Sequence, residues 1–200
     1  MNQPHKKSVT LLELLIAISL LGILLLAFSS IDLFSRYHVR NEDIRMQLQN
    51  EASSVIEHMS KEVVKAIGST VISGQEPVDL TAISGDIAIK VHIDYNQDGR
   101  RSAGDRWIAY RHTHSMTLNP DQRYQIWYYP DYVTSPNTYE VIARRISSFT
   151  RSVTDNYVFV EVHACNVPCW ASEPGCNCGT RDNPLVEMRA QMKMPAVSTH

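Results

Sequence analysis

The chain has 200 residues, 44 % of them hydrophobic and 20 % charged, and a net charge of −2. That is room for one domain of ordinary size with its own core. The balance excludes the basic footprint of a nucleic-acid binder, and no internal repeat or low-complexity tract interrupts it.

The chain opens with MNQPHKKS, which holds Lys6 and Lys7 and no acid. Residues 9–28 then read VTLLELLIAISLLGILLLAF, and from Leu14 to Ile31 no residue carries a charge. Eighteen or more such residues suffice to cross a hydrocarbon core of roughly 30 Å as a helix. Basic residues before an apolar stretch hold that end in the cytoplasm, so the remaining ~170 residues are expected outside. A secretory signal peptide would show an apolar core of about 7–15 residues and then a cleavage loop. Here the run is longer, and IDLFSRYHVRNEDIRMQLQ continues it as helix. A plain signal anchor explains everything except Glu13. An ionised side chain at mid-membrane costs at least ~2.5 kcal/mol. Near the cytoplasmic edge it costs less, because it can reach the interface.

The stretch KKSVTLLELLIAISLLGILLLAF resembles the type IV prepilin signal: a basic leader, a small residue at the cut, an apolar residue, then Thr-Leu-Leu-Glu and a long apolar helix. The resemblance covers about residues 5–30. It implies a dedicated peptidase that cuts after Ser8 and methylates the new amino terminus at Val9. Glu13 would then be the fifth mature residue, and its implied partner is the free amine of a neighbouring subunit. A carboxylate in lipid is tolerable when a buried ammonium pairs with it. Two residues depart from the family pattern, Ser8 where Gly is usual and Val9 where Phe is usual.

Beyond the span, Ile44, Leu48, Ala52, Val55, Met59, Val63 and Ile67 recur in steps of three and four, one stripe on a helix. Gly68 follows as a stop signal. No proline lies between Val9 and Ile67. The expectation is one helix over 9–67, in the membrane over about 9–31 and amphipathic beyond, roughly 90 Å long at 1.5 Å per residue. Residues 1–8 would be a cleaved cytoplasmic leader and 68–200 a β-rich head. In IAIKVHI (87–93), Ile87, Ile89, Val91 and Ile93 share one face. RWIAYRH, YQIWYYP, YEVIARRI, DNYVFVEVHA and LVEMRAQMKM read as further strands, separated by Gly, Pro, Asn and Asp. The pattern gives an α+β fold. By resemblance this is the pilin architecture, a long amino-terminal helix on an antiparallel sheet. Trp127, Tyr128, Tyr129 and Tyr132 suit sheet packing better than a binding surface.

Two loops carry chemistry. DYNQDGRRSAGD (94–105) fits the spacing of a calcium loop. Asp94, Asn96 and Asp98 offer oxygens at alternate positions, and Gly99 permits a sharp turn. Arg100 would give its carbonyl, Ser102 would act through water, and Asp105 would close the shell. Hard oxygen donors suit Ca²⁺ in a structural role. Asp at the twelfth position is shorter than the usual Glu, and the flanks read as strands. The bland alternative is an Asp/Asn/Gly hairpin loop. Cys165, Cys169, Cys176 and Cys178 lack paired C-x₂-C knuckles and lie outside the membrane on this topology. Two disulfides stapling one loop are expected rather than zinc, with three pairings open. His112 and His114 are expected at the surface.

No H-E-x-x-H, G-x-S-x-G or phosphate-loop pattern is found, and the expectation is a non-enzyme. The reading is a minor pilin or pseudopilin of a type IV pilus or type II secretion system. It is expected as a single-pass inner-membrane protein with a cytoplasmic amino terminus and a periplasmic head, then as a fibre subunit. VIARRISSFTRSVTDNYVFVEVHA resembles the J-type minor pseudopilins of type II secretion and their PilW-like relatives in pili. The partners implied are other pilin or pseudopilin subunits, prepilin peptidase and the inner-membrane assembly platform, and no nucleic acid is expected. The alternatives are an adhesive or DNA-uptake pilin, and an anchored periplasmic calcium-binding module that never assembles.

Overall fold

A computed structural model describes residues 10–67, 77–96, 104–114, 118–168, 177–180 and 183–195. The helix α1 runs Leu11–Val63 without a proline. The chain divides into two compact units between Asp43 and Ile44, inside this helix. The amphipathic half of α1 therefore belongs to the head. There Leu48, Ala52, Val55, Met59 and Val63 are fully buried, as their spacing demands.

The helix closes at Val63, four residues before the expected end at Ile67. Ala66 bridges to Ile93, and Ile67 N–H donates to the His92 carbonyl at 2.9 Å. Extended pairing takes these amides. Both residues stay buried, so the apolar spacing alone could not separate helix from strand here.

Among the described residues, eight strands follow in two antiparallel meanders, which together make the expected antiparallel head. The first holds β1 (Val78–Asp79), β2 (Ile87–Ile93), β3 (Arg106–Thr113), β4 (Gln125–Tyr129) and β5 (Glu140–Ala143), in that order. The second holds β6 (Ile146–Thr154), β7 (Tyr157–Cys165) and β8 (Leu185–Lys193). The stretch read as a single strand, YEVIARRI, is broken at Arg144 and Arg145, where the chain leaves one sheet for the other. Arg145 takes a left-handed φ of 57°. Three backbone N–H groups donate to hold this switch. Arg144 N–H donates to the Glu51 carboxylate of α1 at 2.7 Å. Ile146 N–H donates to the Tyr124 carbonyl at 2.9 Å, and Cys165 N–H to the Arg145 carbonyl at 2.9 Å.

One core joins the helix to both sheets. Its members include Leu48, Val55 and Met59 of α1, Ile89, Val91, Ile108, Tyr110 and Ile126 of the first sheet, and Phe149, Val158, Val160 and Val162 of the second. A smaller cluster lies on the opposite face of the first sheet, where Ala88, Ala109, Trp127 and Tyr129 meet Ile83, Leu118 and Tyr132 from loops. The aromatic run is thus split by strand alternation. Trp127 stacks on Tyr139 with centroids 3.9 Å apart, and the Arg111 guanidinium lies 5.2 Å from the Trp127 ring centroid. Tyr128 turns the other way, 4.5 Å from the His58 ring on α1. Arg111 is itself held by the fully buried Asp86, at 2.6 Å and 2.8 Å.

His112 is not the surface residue expected. Alternation along β3 puts it beside Tyr110 and Ile108 on the core side, fully buried. Its Nε2 donates to the Ile146 carbonyl at 2.7 Å, and Nδ1 has no partner among the described residues. Burial pushes its pKa from an ordinary 6.5 down to about 4. The unfolded chain takes up a proton near 6.5 that the folded chain refuses. Stability tied to neutral His112 is therefore full above that pH and is lost as pH falls toward about 4. Thermal melts across this window should show a loss on the order of 3 kcal/mol. The His112→Gln variant should melt with a flatter pH dependence over the same range.

Candidate functional site

The first turn of α1 is built around Glu13. Thr10 precedes the first helical residue and Glu13 stands three further on, the reciprocal arrangement of a capping box. Glu13 N–H donates to Thr10 Oγ1 at 3.3 Å. In return Thr10 N–H and its hydroxyl donate to Glu13 Oε2, at 2.8 Å and 3.1 Å. Both bonds fall on Oε2, and among the described residues Oε1 accepts none. A helix start leaves amide donors without partners, and a carboxylate there also sits well in the helix dipole. Ser8 and Val9, the residues expected at the processing point, lie outside the described residues.

From Leu11 to Phe34 every large apolar side chain is exposed, between 49 % at Ile16 and 82 % at Leu11. An apolar surface this continuous calls for lipid or a partner helix. Its polar atoms are already satisfied within the helix. Ser19 and Ser29 hydroxyls donate to the carbonyls of Leu15 and Leu25 at 2.8 Å and 2.9 Å, and Ser30 to Ala27 at 2.8 Å. The helix is long and apolar enough to span a membrane.

The acidic loop is the turn between β2 and β3, whose last pair is Ile93 with Arg106. Asp105 folds back across its mouth, and Oδ1 accepts Tyr95 N–H at 3.1 Å. Asp94 N–H donates to the Lys65 carbonyl at 3.1 Å, which ties the loop to the end of α1. Asp94 and Asn96 lie on the β2 side of this mouth and Asp105 on the β3 side. Asp98, Arg100 and Ser102 lie outside the described residues.

Of the four cysteines, Cys165 and Cys178 are joined, with Cα atoms 5.9 Å apart. Cys169 and Cys176 lie outside the described residues. The bridge spans 13 positions, a loop whose closure restricts the unfolded chain by about 3 kcal/mol in the chain-entropy account. Asn183, unremarked in the sequence, organises the ends of this loop. It is buried, accepts Val167 N–H at 2.8 Å, and donates to the Val167 carbonyl at 3.0 Å and to Asn177 Oδ1 at 2.9 Å.

A long apolar helix leading into an antiparallel head defines the class: an α+β protein of pilin-like architecture. Residues 4–29 match the prokaryotic N-terminal methylation motif, the signature of type IV prepilin and pseudopilin proteins. No curated protein and no solved structure matches the chain. The motif places Glu13 in a known pattern; Thr10 as its cap is missed by the sequence reading, although [ST]-x-x-[DE] before an apolar run is a helix-start signal that marks it.

Thr10→Val should remove the cap while keeping shape. In a micelle-bound peptide of residues 8–30, the loss of about 1 kcal/mol should speed amide exchange roughly fivefold at residues 11–13, and leave exchange near Leu24 unchanged.

Proposed function

We propose that this chain is the precursor of a minor pilin or pseudopilin, a structural subunit that prepilin peptidase trims at Ser8–Val9 and that joins a fibre through α1. The observation that carries the reading is the capped Glu13 directly before the uncharged run from Leu14 to Ile31 of α1, within the matched methylation motif. In this proposal Glu13 Oε2 stays with the cap of its own helix, and Oε1 receives the amine of a neighbouring subunit. That pairing offsets the cost of keeping an ionised group in lipid. The amino terminus starts on the cytoplasmic side of the inner membrane and the head in the periplasm, as Lys6 and Lys7 favour. The pilin family is structural rather than catalytic, and the proposed role is assembly. Within that family the segment 141–164 favours the J-type pseudopilins and their PilW-like relatives.

Intact mass and amino-terminal peptides from cells with and without prepilin peptidase test the first half. A chain beginning at Val9 with one added methyl, seen only with the peptidase, is the expected result. A chain beginning at Met1 in both strains would leave a simple anchor. Glu13→Ala should still be cleaved and should drop out of purified fibres. Normal incorporation of that variant would refute the charge pairing, and absence of the wild-type chain from purified fibres would favour an anchored module.

The loop at 94–105 is proposed to hold one Ca²⁺ through Asp94, Asn96, Asp98, the Arg100 carbonyl, a water on Ser102, and Asp105. Its role is to pin the β2–β3 turn against the repulsion of its own acids. The gathering of Asp105 onto Tyr95 at the loop mouth supports it. Chelation should lower the melting temperature of the head by several degrees, and Asp98→Ala should abolish the response to calcium. Melting curves with and without EDTA that superimpose would remove calcium from the account.

A further inference from the structure

The solvent side of the second sheet carries a cluster that neither the helix nor the acidic loop uses. Glu161 and His163 are alternate residues of β7 and so share a face, opposite the core residues Val160 and Val162. His163 stands in register with Glu187 of β8. One ligand atom from each of the three lies within 4.8 Å of the others. His163 Nε2 is 3.1 Å from Glu161 Oε1.

Those lengths suit a shared cation as well as the ion pair they now make. Around a four-coordinate zinc with bonds of ~2.0–2.1 Å, ligand atoms sit roughly 3.3 Å apart. The Glu161–His163 edge already has that length, and Glu187 is exposed and long enough to close the third corner by a rotamer change. β7 is the central strand of its sheet, bonded along both edges, so the two donors on it stand on a firm base. One imidazole with two carboxylates suits zinc and its neighbours, whereas calcium takes six to eight oxygens. The cluster is therefore chemically distinct from the 94–105 loop. An open groove of about 500 Å³ begins at Glu161 and runs past Thr150, Ser152, Phe159 and Gln191. It gives water access to the remaining coordination positions.

One group opposes the cation. Arg189 places Nε at 2.8 Å and a terminal nitrogen at 2.7 Å from the same Glu161 oxygen. Its side chain is 74 % exposed, so it can swing into solvent when a divalent ion takes the carboxylate. We propose that Glu161, His163 and Glu187 form a site for a zinc-class divalent cation on the outer face of the β6–β7–β8 sheet, with Arg189 as its built-in competitor. This holds whether or not the chain enters a fibre.

The full-length protein in detergent, kept in millimolar calcium to saturate any calcium site, is titrated with zinc chloride by calorimetry. The expected result is one zinc per chain at a Kd of roughly 1–10 µM. His163→Ala and Glu187→Gln should weaken it at least tenfold, and His163→Gln, which keeps the bulk and polarity, should do the same. Arg189→Gln should tighten it severalfold, which a purely structural ion pair would not do. No uptake by the wild type up to about 1 mM would overturn the site. So would uptake that survives His163→Ala and His163→Gln, which would place the zinc on other residues. Weaker binding by Arg189→Gln would overturn the competitor role.

Discussion

A carboxylate at the edge of an apolar helix has to be given donors, and a helix start has to be given acceptors. In this chain each need answers the other. Thr10 and Glu13 exchange bonds across one turn, so the first helical residues begin at a fixed point and the charged group is turned back toward the amino terminus. The orientation is local, set by four residues and independent of anything in the head. In the proposed assembly, the group that meets a neighbouring subunit is thereby positioned before that partner arrives. Holding it costs little, because the bonds that aim it are those the helix end needs in any case.

The same helix is written for two solvents. Up to Phe34 its large side chains are apolar on every side, while beyond Ile44 the apolar residues narrow to the stripe of Leu48, Ala52, Val55, Met59 and Val63. The head is organised around that stripe. Strands of both sheets reach the same core, and the switch between sheets at Arg144–Arg145 is held by Glu51 on the helix. A helix stripe, a break in a strand and a left-handed arginine are thus parts of one arrangement. The left-handed φ of Arg145 persists because its neighbours on both sheets and on the helix hold it.

Legibility followed the range of the signal. The helix stripe and the inward face of β2 repeat over short distances, and both were readable from spacing. Strand β6, ISSFTRSVT, was not, since its Ser, Thr and Arg residues give no sustained apolar alternation and its neighbour β5 reads on into it. The helix end was misplaced because Ala66 and Ile67 bury equally well as extended chain. His112 was read as a surface group because a histidine carries little hydrophobic signal, although alternation from Ile108 and Tyr110 put it inside. At the sites, Glu13 was conspicuous as the lone charge in its stretch. The Glu161, His163 and Glu187 cluster was beyond sequence reasoning. Two of its members are close neighbours, but the third joins only through the register of β7 with β8. Asn183 was similarly hidden, since its bonds reach back to Val167.

The bridge between Cys165 and Cys178 makes the head dependent on when and where it is completed. Cys165 ends β7, and β8 begins only after Cys178 has passed. On the proposed topology, the clasp can shut only when β1 to β7 have crossed the membrane that holds the start of α1, and β8 then pairs in register beside Cys165. A chain stranded on a reducing side would keep both thiols and lack that final cue. For a head delivered as proposed, the bond is a covalent record of passage, readable by redox state alone.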